Sequence, residues 1–393
     1  MSLSQLVAAL PSYQANLRQE RRKRRAMRIV KKLLYWFVVG VKYIMTGRTR
    51  LSEEDASRKL DEIVQILRAT LRNLFIEREG TNCPQLWDTA FIDQYGNVFN
   101  CCHSRPGALG KLQDSHLSTI WQQSRRLRFF RWLSRHGALY CALNCTLISA
   151  EDRASPPKKM LAPVHPTTVR ILHGELCNLA CTMCWQDHRD RQIVSNSLIT
   201  EQIDWPKVEH VELQGGEVLA MKEAREFFVW LTQAMGKKAD LITNGTLINE
   251  TWARNLVLGA NWVAISVNAA SKEVHERINR GSSFEKVTAN IKRLTHLKRQ
   301  MGGDLEIIYK FSIIQENIHE IPDAIPVAAE LGCDRIAYGF DPTTVPDYLE
   351  RNPELQASLR QRVEEQIAIG YPIEIERIRL QRLGLLNELD KGS

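Results

Sequence analysis

Three cysteines, Cys177, Cys181 and Cys184, lie within "LCNLACTMCW", separated by three residues and then by two. Thiolates bind metals, and three in one short loop are one ligand short of a closed structural site, which takes four. On a four-iron cluster, three thiolates leave one iron open to a cofactor or substrate. Zinc with a distant fourth ligand, such as His173 or His188, fits the same spacing. A second group, Cys83, Cys101, Cys102, Cys141 and Cys145, falls within one 63-residue window. It offers four ligands, counting one of the adjacent pair Cys101/Cys102, because neighbouring strand residues point to opposite faces. Four thiolates suit a 4Fe–4S cluster or a structural zinc equally. Nine cysteines in 393 residues, eight of them in these two groups, do not form a disulfide framework. They point to a reducing compartment, so a cytoplasmic protein is expected.

The elements that must hold these residues can be read from the rhythm of the chain. "TVRILHG", "HVELQGG", "ADLITNG", "NWVAISVNA", "LEIIYKFSII" and "CDRIAYGF" are short apolar runs separated by helical stretches. Six such units predict a parallel α/β sheet, an open (β/α)6 partial TIM barrel, with ligands at the carboxyl ends of the strands. The C-x3-C-x2-C loop follows the first of these strands. Later strand ends carry Gly215, Gly216 and Glu217, then Thr243 and Asn244 before Gly245, then Ser266 and Asn268, expected on one side of their strand. Polar residues at these mouths are the opposite of what a core position would carry. Upstream, Thr89–Asn100 alternates around "DQYGN", which predicts a hairpin with Gly96 at positive φ. Residues 117–137 read as one helix ending at Gly137.

The expected organisation is a basic amphipathic helix region at 1–50, a small α+β domain holding the first cysteine group at 51–152, a Pro-rich linker at 153–168, the barrel at 169–345, and a helical or extended region at 346–393. The net charge of +8 comes from Arg18–Arg50, which carries +11. Nucleic-acid binding by the whole chain is therefore not implied. Residues 21–45 are too short in their uncharged run to span a bilayer. They fit a helix packed on the protein body or one lying on an anionic membrane surface.

Taken in order, the C-x3-C-x2-C loop, Gly215–Glu217, Ser266-x-Asn268 and Ile278-Asn-Arg-Gly resemble the radical S-adenosylmethionine superfamily. The first cysteine group, with Gly96 five residues before Cys101, resembles the SPASM or twitch auxiliary-cluster domains, which usually follow the barrel and here precede it. The resemblance implies that Cys177, Cys181 and Cys184 hold a [4Fe–4S] cluster whose open iron binds S-adenosyl-L-methionine. Gly215, Gly216 and Glu217 would receive the cofactor's amino group. Thr243, Asn244, Ser266 and Asn268 would line its remainder, and Trp185 would lie near the adenine. A second [4Fe–4S] auxiliary cluster would use Cys83, Cys101 or Cys102, Cys141 and Cys145. Relatives read S-x-D and I-R-R-G where this chain has Asn268 and Asn279, so Arg280 or Arg277 is expected to supply the missing cation. The implied enzyme takes an electron from a ferredoxin- or flavodoxin-like donor, cleaves S-adenosylmethionine to a 5′-deoxyadenosyl radical, and abstracts hydrogen from a peptide or protein. A sugar, nucleotide-sugar or lipid-linked metabolite is the alternative substrate, and a non-catalytic cluster or zinc protein the alternative class.

Overall fold

The computed structural model describes residues 83, 85–101, 107–135, 164–341 and 344–387. The helix region expected at 1–50, residues 153–163 of the expected linker, and Cys102, Cys141 and Cys145 lie outside the described residues.

All six expected barrel strands form: β4 (Thr168–Leu172), β5 (His210–Gln214), β6 (Asp240–Thr243), β7 (Trp262–Ser266), β8 (Glu306–Ile313) and β9 (Arg335–Phe340). They pair in parallel in chain order, with helices between them. The hairpin of the first cysteine group also forms, as β1 (Thr89–Ile92) and β2 (Asn97–Phe99), with Gly96 at φ 73°. Its turn is built by Asp93, whose carboxylate accepts the amides of Tyr95 and Asn97. The hairpin does not stand apart from the barrel. β1 runs parallel to β4, Thr89 opposite Thr168, and prolongs the same sheet. A short β3 (Gly110–Lys111) adds one edge and β10 (Glu374–Ile375) the other, giving a single open sheet in the order β10-β9-β8-β7-β6-β5-β4-β1-β2-β3.

The register sorts the two faces. Val169, Ile171, Val211, Leu213, Leu241, Val263, Ile265, Ile307 and Ile336 are essentially fully buried on the helix-covered side. That burial is the main source of stability. The other face carries Arg170 and Glu212, an ion pair at 2.9 Å, with Gln214, Ser266 and Lys310 nearer the carboxyl ends. Arg170 also donates to Gln85, in the short helix Gln85–Asp88 that precedes β1.

Two local expectations are corrected. The helix expected at 117–137 is two helices, Leu117–Gln123 and Arg125–Arg135, because Ser124 leaves the helical region (ψ 113°) and caps the second by accepting the Leu127 amide at 3.3 Å. Asn268 does not share a strand face with Ser266. β7 stops at Ser266, and the amides of Val267 and Asn268 both reach the Lys310 carbonyl, at 3.1 and 3.2 Å. That double pairing is a bulge, and it puts Asn268 at φ 61° with its side chain buried. Among the described residues, no helix is long and apolar enough to cross a membrane.

Candidate active site at the strand carboxyl ends

The cysteine loop leaves β4 and is pinned on three sides, twice through its own backbone and once through the Asn178 side chain. First, the loop after β5 zips onto it. The Gly216 amide donates to Gly174 O at 3.0 Å and the Glu217 amide to Leu176 O at 2.9 Å. Both glycines are required by this approach. A Cβ on Gly216 would lie 2.2 Å from Leu176 O and 2.4 Å from Glu175 O, and one on Gly215 (φ 153°) 2.5 Å from Gly174 O. Second, the loop after β6 reaches over. Asn244 Nδ2 donates to Asn178 Oδ1 at 3.0 Å and approaches Cys177 Sγ at 3.9 Å, while Asn178 Nδ2 donates to Thr246 Oγ1 at 2.9 Å. Third, the stretch after helix Lys272–Ile278 holds the middle of the loop. The Thr182 amide donates to Ile278 O at 2.8 Å and the Ala180 amide to Arg280 O at 2.9 Å.

Glu217 links the first two clamps. Its buried carboxylate accepts the Leu219 amide (3.0 Å), Thr243 Oγ1 (2.7 Å) and the Asn244 amide (2.7 Å). Burial pushes its pKa up, and the three donors oppose that shift. Glu217 and Thr243, expected to line a cofactor, thus also tie strand-end loops together. Asn268 does the same, donating to Asn279 Oδ1 at 3.0 Å and accepting the Ser312 amide at 2.8 Å. Ser266 is half-buried at the mouth beside Lys310, while the side chains of Arg280 and Arg277 are exposed. Trp185 is 67% exposed.

The three thiols are half-buried and outside any disulfide. Burial raises all three pKa values, with that of Cys181 pushed up to about 12, helped by the charges of Cys177 and Cys184. Three half-buried thiols on one loop at the strand carboxyl ends are a donor set that a cationic cluster would take as thiolates, releasing protons. Among the described residues, no group of three or more His, Cys, Asp or Glu side chains closes on a single metal-ion position. His173 packs its ring on Phe227 (5.2 Å) in the helix layer, and His188 Nδ1 lies 3.2 Å from Glu175 O. In the first cysteine group, Cys83 and Cys101 are both buried. The hairpin turn also touches the loop beyond the three cysteines, where Asp190 accepts Tyr95 Oη at 2.5 Å and Gln94 Nε2 at 3.2 Å.

Asn178 and Thr246 were not singled out from the sequence, and Asn279 was read only as the loss of a cation. The available signal was an Asn within or beside each strand-end motif, a residue that bonds readily to nearby backbone and side-chain groups.

Fold and site together define an α/β partial-barrel protein that presents three thiols at the carboxyl ends of its strands. Two stretches of the chain match known families. Residues 171–302 match the radical SAM superfamily, and residues 83–146 match the SPASM iron–sulfur cluster-binding domain. Residues 171–302 thus carry a radical SAM domain, with an auxiliary iron–sulfur domain matched ahead of it. These domains imply S-adenosylmethionine and a [4Fe–4S] cluster as cofactors, with further iron–sulfur ligation in the SPASM region. Among curated proteins it is similar to the probable GTP 3′,8-cyclase of Methanocaldococcus jannaschii, 24% identical over 176 residues covering 42% of this chain and 56% of that one. It is likewise similar to that of Saccharolobus islandicus, 23% identical, covering 43% and 54%. The chain thus spans about half the length of these relatives. Among solved structures it is similar to Streptococcus suis SuiB bound to precursor peptide SuiA, at 15% identity and TM-score 0.40, covering 70% of this chain and 69% of that one. It is also similar to anSMEcpe with bound AdoMet and Kp18Cys peptide, at 20% identity and TM-score 0.39, covering 53% and 63%.

Proposed function

We propose that this protein is a radical SAM enzyme that removes a hydrogen atom from a peptide or protein substrate. The observation that carries the reading is the cysteine loop itself. Three thiols sit on one loop that is held by the loops after β5 and β6 and by the end of helix Lys272–Ile278, while the sulfurs stay half-buried. Cys177, Cys181 and Cys184 would ligate the cluster. Bound there, the cluster and S-adenosylmethionine supply a one-electron cleavage that yields a hydrogen-abstracting 5′-deoxyadenosyl group. The residues of the chain do the rest. Gly215 and Gly216 bring the β5 loop close beneath the first cysteine. Glu217 and Asn244 fix the neighbouring loop against it. Gln214, Ser266 and Lys310 line the polar face on which a substrate would lie. Cys83, Cys101 or Cys102, Cys141 and Cys145 would hold the auxiliary cluster, and a ferredoxin- or flavodoxin-like protein would supply the electron.

The peptide class rests on the auxiliary domain, whose resemblance implies such substrates. A nucleotide-type substrate is the second reading, favoured by the name of the curated relatives. A cytoplasmic setting suits both, with residues 21–45 offering contact with a membrane surface.

The test is anaerobic reconstitution, followed by dithionite and S-adenosylmethionine. About eight irons per chain, from two four-iron clusters, and release of 5′-deoxyadenosine are expected. Bound zinc without cofactor cleavage overturns the reading. Supplying GTP or a precursor-type peptide in parallel separates the substrates, because only the right one is consumed in step with 5′-deoxyadenosine.

A further inference from the structure

The stretch Ile278–Gly281 faces two ways. Its backbone holds the cysteine loop, through Ile278 O to the Thr182 amide and Arg280 O to the Ala180 amide. Its one fully buried polar side chain points the other way. Asn279 is 2% exposed, donates from Nδ2 to Val267 O at 2.8 Å, and accepts Asn268 Nδ2 on Oδ1 at 3.0 Å. Both partners belong to the bulge that ends β7, one and two residues past Ser266. Asn268 is in turn anchored to β8, through the Ser312 amide at 2.8 Å, and its carbonyl accepts Asn317 Nδ2 at 2.8 Å. The far side of the stretch is fixed as well. The Asn279 amide donates to His275 O at 2.8 Å, the Ser282 amide to Asn279 O at 2.9 Å, and His275 Nε2 lies 2.8 Å from Ser282 Oγ.

One side-chain amide therefore joins the loop bearing Cys181 and Cys184 to the end of the strand bearing Ser266. Its surroundings fit an amide rather than a cation. Nδ2 meets the Val267 carbonyl and lies 3.1 Å from His275 Nδ1, Oδ1 meets an amide donor, and no carboxylate takes part in these contacts. The larger guanidinium that relatives place here would need room that a 2% exposed position does not offer.

We infer that Asn279 is a positioning residue that sets the register of the cysteine loop against the β7 end, and so the geometry in which S-adenosylmethionine is held between them. This rests on the proposed radical SAM reading for its consequence, though not for the tie itself.

The test compares full-length wild type, Asn279→Ala and the volume-conserving Asn279→Leu. In the protein before reconstitution, hydrogen exchange of the peptide spanning Asn178–Cys184 is expected to quicken in both variants by more than any fall in global melting accounts for. After reconstitution, iron and sulfide should match wild type. The S-adenosylmethionine dissociation constant should rise about tenfold, the effect of losing two neutral hydrogen bonds. The change that S-adenosylmethionine causes in the reduced-cluster electron paramagnetic resonance signal should shrink. Wild-type exchange and wild-type cofactor affinity in both variants would overturn the inference. So would full recovery in Asn279→Leu, which would reduce the role to filling space. Loss of iron at wild-type melting would also overturn it, since Asn279 would then be holding the cysteines themselves. A wild type that binds no S-adenosylmethionine sinks the functional reading instead, and the exchange measurement still decides the tie.

Discussion

Gly216→Ala gives the sharpest perturbation of the site. The added methyl would sit 2.2 Å from Leu176 O, 2.4 Å from Glu175 O and 2.5 Å from Leu176 C, all backbone atoms that no rotamer change can move. Carbon–oxygen contact needs roughly an ångström more, so the β5 loop must lift off the cysteine loop. That breaks the bonds from Gly216 N to Gly174 O and from Glu217 N to Leu176 O. Each is worth about 1 kcal/mol net, and each amide left unpaired in a buried place costs about 1–3 kcal/mol more. The total is about 4–8 kcal/mol, a large share of the 5–15 kcal/mol typical of a domain. Gly302→Ala is the control. Gly302, unlike Gly216, is at positive φ (62°) and has nothing within 4 Å of its Cβ position, so its alanine carries only the left-handed penalty of about 1–2 kcal/mol and no steric clash. Urea midpoints and iron per chain after anaerobic reconstitution should fall for Gly216→Ala, with iron retention falling further than in the control. Equal losses in the two variants, or full iron in Gly216→Ala, would refute the claim that the β5 loop clamps the cysteines.

Four further outcomes are expected. Replacing Cys177, Cys181 and Cys184 together with Ala should halve the iron and abolish 5′-deoxyadenosine release; iron equal to wild type would dismiss these ligands. Glu217→Gln puts an amide donor where the carboxylate accepts three donors, so reconstituted protein should bind S-adenosylmethionine about ten- to a hundredfold more weakly. Because burial raises the Glu217 pKa, the native state holds that proton more tightly than the unfolded chain. Its contribution to stability is full below the unfolded value of about 4.3 and declines as pH rises, a decline that Glu217→Gln should flatten in urea titrations across pH. His173 has the opposite sign. Burial lowers its pKa to about 4, so stability present above about 6.5 is lost as pH falls, amounting to about 3 kcal/mol; His173→Phe should remove that loss, and an unchanged acid limb would show the ring is not buried neutral. Deleting residues 1–50 should reduce co-sedimentation with anionic liposomes, and unchanged sedimentation would exclude the membrane contact.

Much of this architecture was legible because punctuation and chemistry coincide. The first four barrel strands run into Gly or Asn beside a polar motif, so those strands and their functional ends could be placed together. What escaped were pairings between distant segments. The joining of β1 to β4 sets Thr89 opposite Thr168, and nothing in either strand names the other, since an edge offers the same backbone groups to any partner. The bulge at Val267–Asn268 escaped for a related reason. Alternation carried past Ser266 assumes the strand continues, whereas two amides share one carbonyl there.

These misses bear on how the site works. Residues singled out as ligands by motif, Glu217, Thr243 and Asn268 among them, use their side chains to tie one strand-end loop to the next. The clamp on the cysteine loop is mostly backbone, from Gly174 O, Leu176 O, Ile278 O and Arg280 O. A backbone clamp constrains sequence only where a side chain would obstruct it, at Gly215 and Gly216, or where a buried amide must complete it, at Asn279. The Asn at the second position of Ile278-Asn-Arg-Gly is therefore less the loss of a cation than a different way of closing the site. Arg280 still contributes there, through its carbonyl, while its guanidinium remains exposed to solvent.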